Sequence, residues 1–329
     1  LTRLLPCSKS LKQTAKSAVL VLARLAWLAR QKSSGQGAIL TFHGLRKDEE
    51  SAGILDEGLH LPLSVFRQIC AHLARHYQVI PLAEMMRMSG LGQRLPDRAI
   101  ALTFDDGYAS NYQLGFPVLK DFGLAATVFL TSGFLDETES LWFQEMDLAM
   151  QAKGEGAKLA STLAELKALP DAEMRQVVAA YGAEVSKPKT RPEVTRPMTW
   201  DMAREMQASG LVELGGHTHS HPILARCSLE QQRREIFICH ERLSAELGRE
   251  PKLFAYTNGS SDDFSTETCG LLAEAGFEAA FTMMSGRVKP GLNPYALPRY
   301  GSPETLWEAE ATASGAFEML REWRGGGRA

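Results

Sequence analysis

Residues 98–107 read "RAIALTFDDG", an apolar and β-prone run that ends in two adjacent carboxylates and a glycine. A run this apolar, with no polar alternation, predicts a strand buried on both faces. A carboxylate inside such a strand would lose its hydration without a partner, so Asp105 and Asp106 belong at its C-terminal end. Adjacent strand residues face opposite ways, and a turn at Gly107 would bring both side chains toward one pocket. Asp-Gly alone is a common turn former, and the apolar run before it gives the pair its meaning.

Similar runs recur along the chain: "AILTFHG" (38–44), "YQVIPL" (77–82), "AATVFLTS" (125–132), "LVELGG" (211–216), "KLFAYT" (252–257), "AAFTM" (279–283) and "YALPR" (295–299). Helical patterns lie between them, among them "LSVFRQICAHLARH", "NYQLGFPVLKDFG", "TWDMAREMQASG", "LEQQRREIFICHERLSAELG" and "STETCGLLAEAG". Several end in glycine, as helix C-termini do. Apolar strands alternating with helices predict parallel βα units, and seven or eight of them predict a closed or nearly closed α/β barrel.

With 329 residues, the chain has the length of one such barrel. Its net charge of −3 argues against a general nucleic-acid binder. Its five cysteines are odd in number, widely spaced and without a CxxC pair, which fits buried thiols in a reducing compartment. Residues 1–37 form a separate segment, carrying Arg3, Lys9, Lys12, Lys16, Arg24, Arg30 and Lys32 with no acid. Their apolar stretch, residues 17–29, is interrupted by Arg24 and is short for a membrane span of about 20 residues. No small-residue cleavage site follows it, as a signal peptide would require. Two readings stand side by side: a basic amphipathic helix on an anionic membrane surface, or a helix packed on the domain itself. Together with the free cysteines, the first reading predicts a cytoplasmic protein that meets the inner face of the cell membrane through residues 1–37. The barrel spans 38–305, interrupted by an Ala-, Lys- and Glu-rich helical insertion over 140–198. Residues 306–329 read as a C-terminal helix and tail.

"GGHTHSHP" (215–222) places three of the chain's eight histidines within five residues. Two ligands of a zinc-like ion each sit about 2.1 Å from it, so their coordinating atoms approach within roughly 4 Å. Two glycines should end the preceding strand, and Thr218 and Ser220 favour turns and caps. In a helical turn, positions i and i+4 are neighbours while i+2 points away. His217 and His221 are thus the candidate ligands and His219 a bystander, against the alternative of a solvent-exposed loop.

"TFDDG" followed by "HTHSH" resembles the polysaccharide deacetylases, carbohydrate esterase family 4, over roughly residues 38–300. The resemblance implies a distorted (β/α)₇ barrel and a metal-dependent hydrolase acting on N-acetylated amino sugars. It implies Asp105 as catalytic base, and Asp106, His217 and His221 as ligands of a divalent metal. Zinc is the default ion, and such a donor set also accepts Co, Ni or Mn. Most members carry an acid histidine near the C-terminal end, but here no histidine follows His240. A branch active on biofilm poly-N-acetylglucosamine carries it early instead, in a "YH" strand, which makes His43 of "ILTFHG" the candidate acid. "FAYTNG" (254–259) resembles the family's pocket-lining "FAYPxG", with Thr257 in place of proline. Tyr256 and Asn258 are the implied substrate and oxyanion residues, through a backbone N–H near Tyr256. Arg299 of "ALPRYG" is implied as the partner that holds Asp105 ionised. Trp142 and Trp200 are candidates for a sugar platform. The implied partner is an N-acetylated amino-sugar polymer. Two rival readings are an amidohydrolase for a small amide or cyclic imide, and a non-catalytic carbohydrate-binding protein. An open groove would favour polymers, and a closed pocket small molecules.

Overall fold

The computed structural model describes residues 24–49, 53–185 and 192–325. In chain order its strands are β1 (Gly37–Phe42), β2 (Gly44–Arg46), β3 (His60–Pro62), β4 (Gln78–Val79), β5 (Ala99–Phe104), β6 (Ala126–Leu130), β7 (Val212–Gly216), β8 (Leu253–Ala255) and β9 (Ala279–Phe281). Seven form one parallel sheet ordered β1-β5-β6-β7-β8-β9, with β4 beside the start of β5, while β2 and β3 pair separately.

Period-2 alternation decides what each strand face meets. On β5, Ile100, Leu102 and Phe104 join the core beneath the outer helices. Ala99 and Ala101 face the other way, onto Ile39, Phe129, Ala255 and Phe281 inside the curled sheet. Asp105 continues that inward phase two residues beyond Thr103. β1 pairs with β5 over all six residues, Gly37↔Ala99 through Phe42↔Phe104. His43 and Asp105 therefore leave the sheet side by side.

"YALPR" does not form a strand. Pro298 has no N–H to donate, so a regular ladder cannot run through it. Single bridges flank it instead, Phe281↔Leu297 and Leu40↔Tyr300, and these carry the segment between β9 and β1 to close the distorted barrel. β4 is short for a related reason, because Pro81 ends it and caps the next helix.

Residues 24–32 (α1) are helical, followed by α2 (Leu63–His76) and α3 (Leu82–Gly90). α2 buries Phe66, Ile69, Cys70 and Leu73, the i, i+3, i+4, i+7 stripe of an amphipathic helix. A π-helical turn at Asn111–Gly115 leads into α4 (Phe116–Phe122). After β6 come α5 (Ser132–Leu135), α6 (Trp142–Lys153), α7 (Leu159–Ala168) and α8 (Asp171–Ala183). The last three enclose a small core of their own, built on Trp142, Met146, Met150, Leu166, Met174 and Val178. Residues 186–191 of the proline-broken basic loop lie outside the described residues. The remaining helices are α9 (Trp200–Ala208), α10 (Leu229–Leu247), α11 (Thr266–Ala275), α12 (Leu306–Ser314) and α13 (Ala316–Gly325).

The insertion is pinned across the mouth of the barrel. Asp147 on α6 accepts from the backbone N–H groups of Leu55 and Asp56, both at 2.8 Å. On the far side, Arg226 donates to the Lys167 carbonyl of α7 at 3.2 Å.

Of the segment expected to meet a membrane, residues 1–23 lie outside the described residues. α1 packs Ala29 against Ala311, Ala316 and Met319, and Arg30 pairs with Glu310. Its outer face exposes Trp27, at 54%. No described helix is long and apolar enough to cross a membrane. Cys70, Cys227, Cys239 and Cys269 carry free thiols.

Candidate active site

The C-terminal ends of β1, β5, β7 and β8 converge on one cavity of about 270 Å³. His43, Asp105, Asp106, His217, His221, Tyr256 and Asn258 all line it. Arg299 sits just beneath, with none of its surface exposed.

Asp105 points inward in phase with its strand and meets Arg299 in a two-pronged pair, with Nη1 to Oδ1 at 2.7 Å and Nη2 to Oδ2 at 2.8 Å. The guanidinium is fixed further by Nε donating to the Thr282 carbonyl at 3.2 Å and Nη1 donating to Thr103 Oγ1 at 3.3 Å. Burial alone would raise the Asp105 pKa, but the charges of Arg299, His217 and His43 outweigh it and hold the carboxyl below its usual range.

Asp106 takes φ 74°, so the chain bends one residue earlier than Gly107, itself at φ 88°. This bend turns Asp106 toward the histidines. Its Oδ1 lies 3.4 Å from His217 Nε2 and 3.1 Å from His221 Nε2. One ligand atom from each of the three residues lies within 4.8 Å of the others, and all three residues are buried. Donors of a tetrahedral ion bound at about 2.1 Å stand roughly 3.4 Å apart, which matches this spacing. His217 Nδ1 faces the Ala255 carbonyl at 2.7 Å, so that nitrogen carries the proton and Nε2 is left as a donor to an ion. Asp106 Oδ2 is buried with no hydrogen-bond partner, a cost that a cation beside it would remove. Burial pushes the Asp106 pKa up, and the hydrogen bonds of both histidines overcome that and hold it well below the usual carboxylate range. The three side chains fit a divalent metal.

His219 turns away from this trio. Its Nδ1 meets Ser132 Oγ at 2.9 Å, and its carbonyl accepts from Gly133 N–H at 2.8 Å. Thr218 folds the turn by accepting the His221 N–H at 3.0 Å. Glu235 on α10 supports it by accepting the backbone N–H groups of His219 and Ser220, at 3.0 and 2.7 Å. Nothing in the sequence around Glu235 signals that role. One of four glutamates on a strongly charged helix, it reads as solvent-facing.

Six non-glycine residues have positive φ among the described residues, and four lie in the segments that build this cavity: Asp106, Thr218, His221 and Asn258. For β-branched Thr218, at φ 65°, the conformation is a true outlier. Strain gathered at one place marks a functional site, because surrounding contacts must be spent to hold it.

Tyr256 itself is held by the sheet. Its backbone N–H donates to the Phe281 carbonyl at 3.0 Å, and its hydroxyl to the Tyr295 carbonyl at 2.9 Å. Asn258 Nδ2 is likewise engaged, by Asp263 at 2.6 Å. Both residues line the cavity while those groups point elsewhere. Thr257, standing where the family has proline, donates its hydroxyl to the Pro222 carbonyl and so ties this loop to the histidine loop. Trp142 lines the cavity, whereas Trp200 donates its indole N–H to Asp136 at 2.8 Å, away from it. The opposite wall comes from the insertion: Trp142, Phe143, Leu163 and Lys167.

Among the solved structures that share the fold are two that cover most of this chain. The Streptococcus pyogenes deacetylase PplD, in complex with acetate, aligns with TM-score 0.60 at 17% identity, covering 84% of this chain and 98% of that one. IcaB from Ammonifex degensii aligns with TM-score 0.59 at 19% identity, covering 85% and 97%. Among curated proteins, YxkH of Bacillus subtilis (strain 168) is 29% identical over 125 residues, 37% of this chain and 40% of its own. The poly-β-1,6-N-acetyl-D-glucosamine N-deacetylase of Escherichia coli (strain K12) is 44% identical over 46 residues, 14% of this chain. The chain spans 40% of the length of the first and 7% of the second. The family model for polysaccharide deacetylase matches residues 92–280, more than half of the chain, and with the TFDDG turn and the paired histidines inside that range, this protein belongs to the polysaccharide deacetylase family.

Proposed function

We propose that this protein is a metal-dependent hydrolase that removes N-acetyl groups from an amino-sugar oligo- or polysaccharide. The observation that carries the reading is the sharing of one cavity by the Asp106–His217–His221 trio, the Arg299-held Asp105, and His43. Asp106, His217 and His221 would hold the ion, zinc by default, with Co, Ni or Mn accepted by the same donors. When bound, such an ion supplies a Lewis acid for the acetamide carbonyl and acidifies water.

The remaining chemistry falls to the chain's own residues. Asp105, kept ionised, accepts a proton from the attacking water as its oxygen adds to the carbonyl carbon. Arg299 fixes both carboxylate oxygens and sets the angle at which Asp105 presents its lone pair. His43, released from β1 beside Asp105, delivers a proton to the nitrogen as the C–N bond breaks. The amine then leaves neutral instead of as a high-energy anion. The products are acetate and a free amino sugar.

The Escherichia coli relative, named for poly-β-1,6-N-acetyl-D-glucosamine, supports an N-acetylglucosamine polymer as substrate. The cavity is below the roughly 300–1,000 Å³ typical of drug-sized sites, and it is walled by Trp142, Phe143 and Leu163, which favours one sugar unit seated at a time. In the same reading the protein is cytoplasmic, and the acid-free basic segment 1–37 touches the inner face of the membrane.

The test is acetate release from N-acetylglucosamine oligomers by wild type, Asp105→Asn and His43→Ala. Each variant should lose about 10²–10⁴-fold in kcat. Undiminished release by Asp105→Asn defeats the mechanism. Undiminished release by His43→Ala alone defeats only the acid assignment.

A further inference from the structure

The loop between the two histidines is gripped from two sides. Glu235 holds its amides from α10 and also accepts from Ser220 Oγ at 2.7 Å. From the insertion, Arg175 on α8 donates through Nη2 to both the carbonyl and the hydroxyl oxygen of Ser220, at 3.0 and 2.9 Å. Arg175 is itself aimed by Asp171, whose Oδ2 accepts from Arg175 Nε at 2.9 Å and from Gln231 Nε2 at 2.7 Å. Gln231 and Glu235 stand four residues apart on α10, one turn from each other. The contacts therefore form a closed ring: α10 to Asp171, Asp171 to Arg175, Arg175 to Ser220, and Ser220 back to α10.

The two histidine ligands differ in what fixes them. His217 has its Nδ1 anchored on the Ala255 carbonyl, whereas His221 Nδ1 has no partner. Beyond its contacts with Asp106 Oδ1 and the Phe143 ring, the position of His221 depends on the backbone of its loop. That backbone holds Thr218 and His221 in the left-handed region, at φ 65° and 60°, conformations that persist only under constraint. Of the two constraints on Ser220, the one from outside the barrel is Arg175.

We propose that Arg175 is a positioning residue for the metal centre, one that makes the helical insertion part of it by holding Ser220 and through it His221. This rests on the reading of Asp106, His217 and His221 as metal ligands. Arg175 touches neither the ion nor the substrate.

The test is zinc affinity of the full chain, titrated in competition with a zinc-binding dye, for wild type, Arg175→Met, Arg175→Lys and Asp147→Asn. Arg175→Met should weaken zinc binding about 10–100-fold, the usual cost of losing a residue that orients a ligand. Arg175→Lys, which keeps one donor for Ser220, should recover part of that loss. Asp147→Asn replaces one of the two oxygens that accept from Leu55 and Asp56 with a donor, weakens this separate anchor of the insertion, and should leave zinc affinity unchanged. Unchanged affinity in Arg175→Met overturns the proposal, as does an equal loss in Asp147→Asn, which would mark a general loosening. Should Arg175→Met fail to fold, Arg175→Gln, whose side chain is too short to keep both contacts with Ser220, decides in its place, and wild-type affinity in it overturns the proposal too. Absence of zinc binding by wild type overturns the metal reading beneath it instead.

Discussion

At Asp105 two effects oppose each other. Burial favours the neutral acid, and Arg299, with His217 and His43, favours the carboxylate; the charges win. A carboxyl whose pKa is lowered on folding adds stability above its unfolded range, and that stability disappears as pH falls through the folded value. Arg299→Met removes the partner and leaves a buried carboxyl alone. Its cost should be about 3–5 kcal/mol of stability near neutral pH. In the protein that still folds, the Asp105 pKa should rise, moving the acid limb of kcat/KM to higher pH. A pH–rate profile that keeps its acid limb in Arg299→Met would show that the arginine is only a structural anchor. Asp105 itself was legible in the sequence, since it lies in phase with Ala99, Ala101 and Thr103 and a carboxylate fits only at the strand end. The Asp105–Arg299 pairing spans 194 residues and leaves no local pattern, so it rested on resemblance. That the sheet takes up the Tyr256 amide was not legible either, because a loop position looks free in sequence until the neighbouring strand is known to claim it.

At the scale of elements, the amphipathic stripe of α2 and the glycine-ended helices could be read from periodicity. "YALPR" could not, because β-prone residues flank a proline that no ladder passes through, and only the closure between β9 and β1 shows what the segment does. How α1, α2 and α12 are joined was equally hidden. Glu310 on α12 accepts from Tyr77 at 2.8 Å, contacts His72 at 2.7 Å and pairs with Arg30 of α1. Burial raises its pKa, but His72, Arg30 and Tyr77 prevail and lower it. Glu310→Gln should therefore destabilise the protein by about 3 kcal/mol at neutral pH. The gap from wild type should close as pH falls through the lowered Glu310 pKa, below the usual glutamate value of about 4.3. Thermal melts of both proteins across that range check it; a gap independent of pH would mean that packing, not the charge, joins the three elements.

For the whole molecule, parallel strands in a fixed register explain why residues 43, 105–106, 217–221 and 256–258 meet. Each follows the C-terminal end of a strand, where loops are free to carry chemistry and the barrel below stays packed. The alternation of strands and helices made this layout legible. What the insertion does was not, because its composition says only helix, and its anchors at Asp147, Arg175 and Lys167 are contacts with distant loops. The strain in Asp106, Thr218 and His221 was hidden as well, since none is a glycine whose presence would announce it. The central claim is that this strained loop and the TFDDG turn together build a metal site on which hydrolysis depends. The most direct measurement is acetate release from an N-acetylglucosamine oligomer by chelator-stripped protein titrated with zinc. Release should vanish on stripping and return with zinc, saturating at one ion per chain. Release that survives complete removal of the metal would contradict the claim.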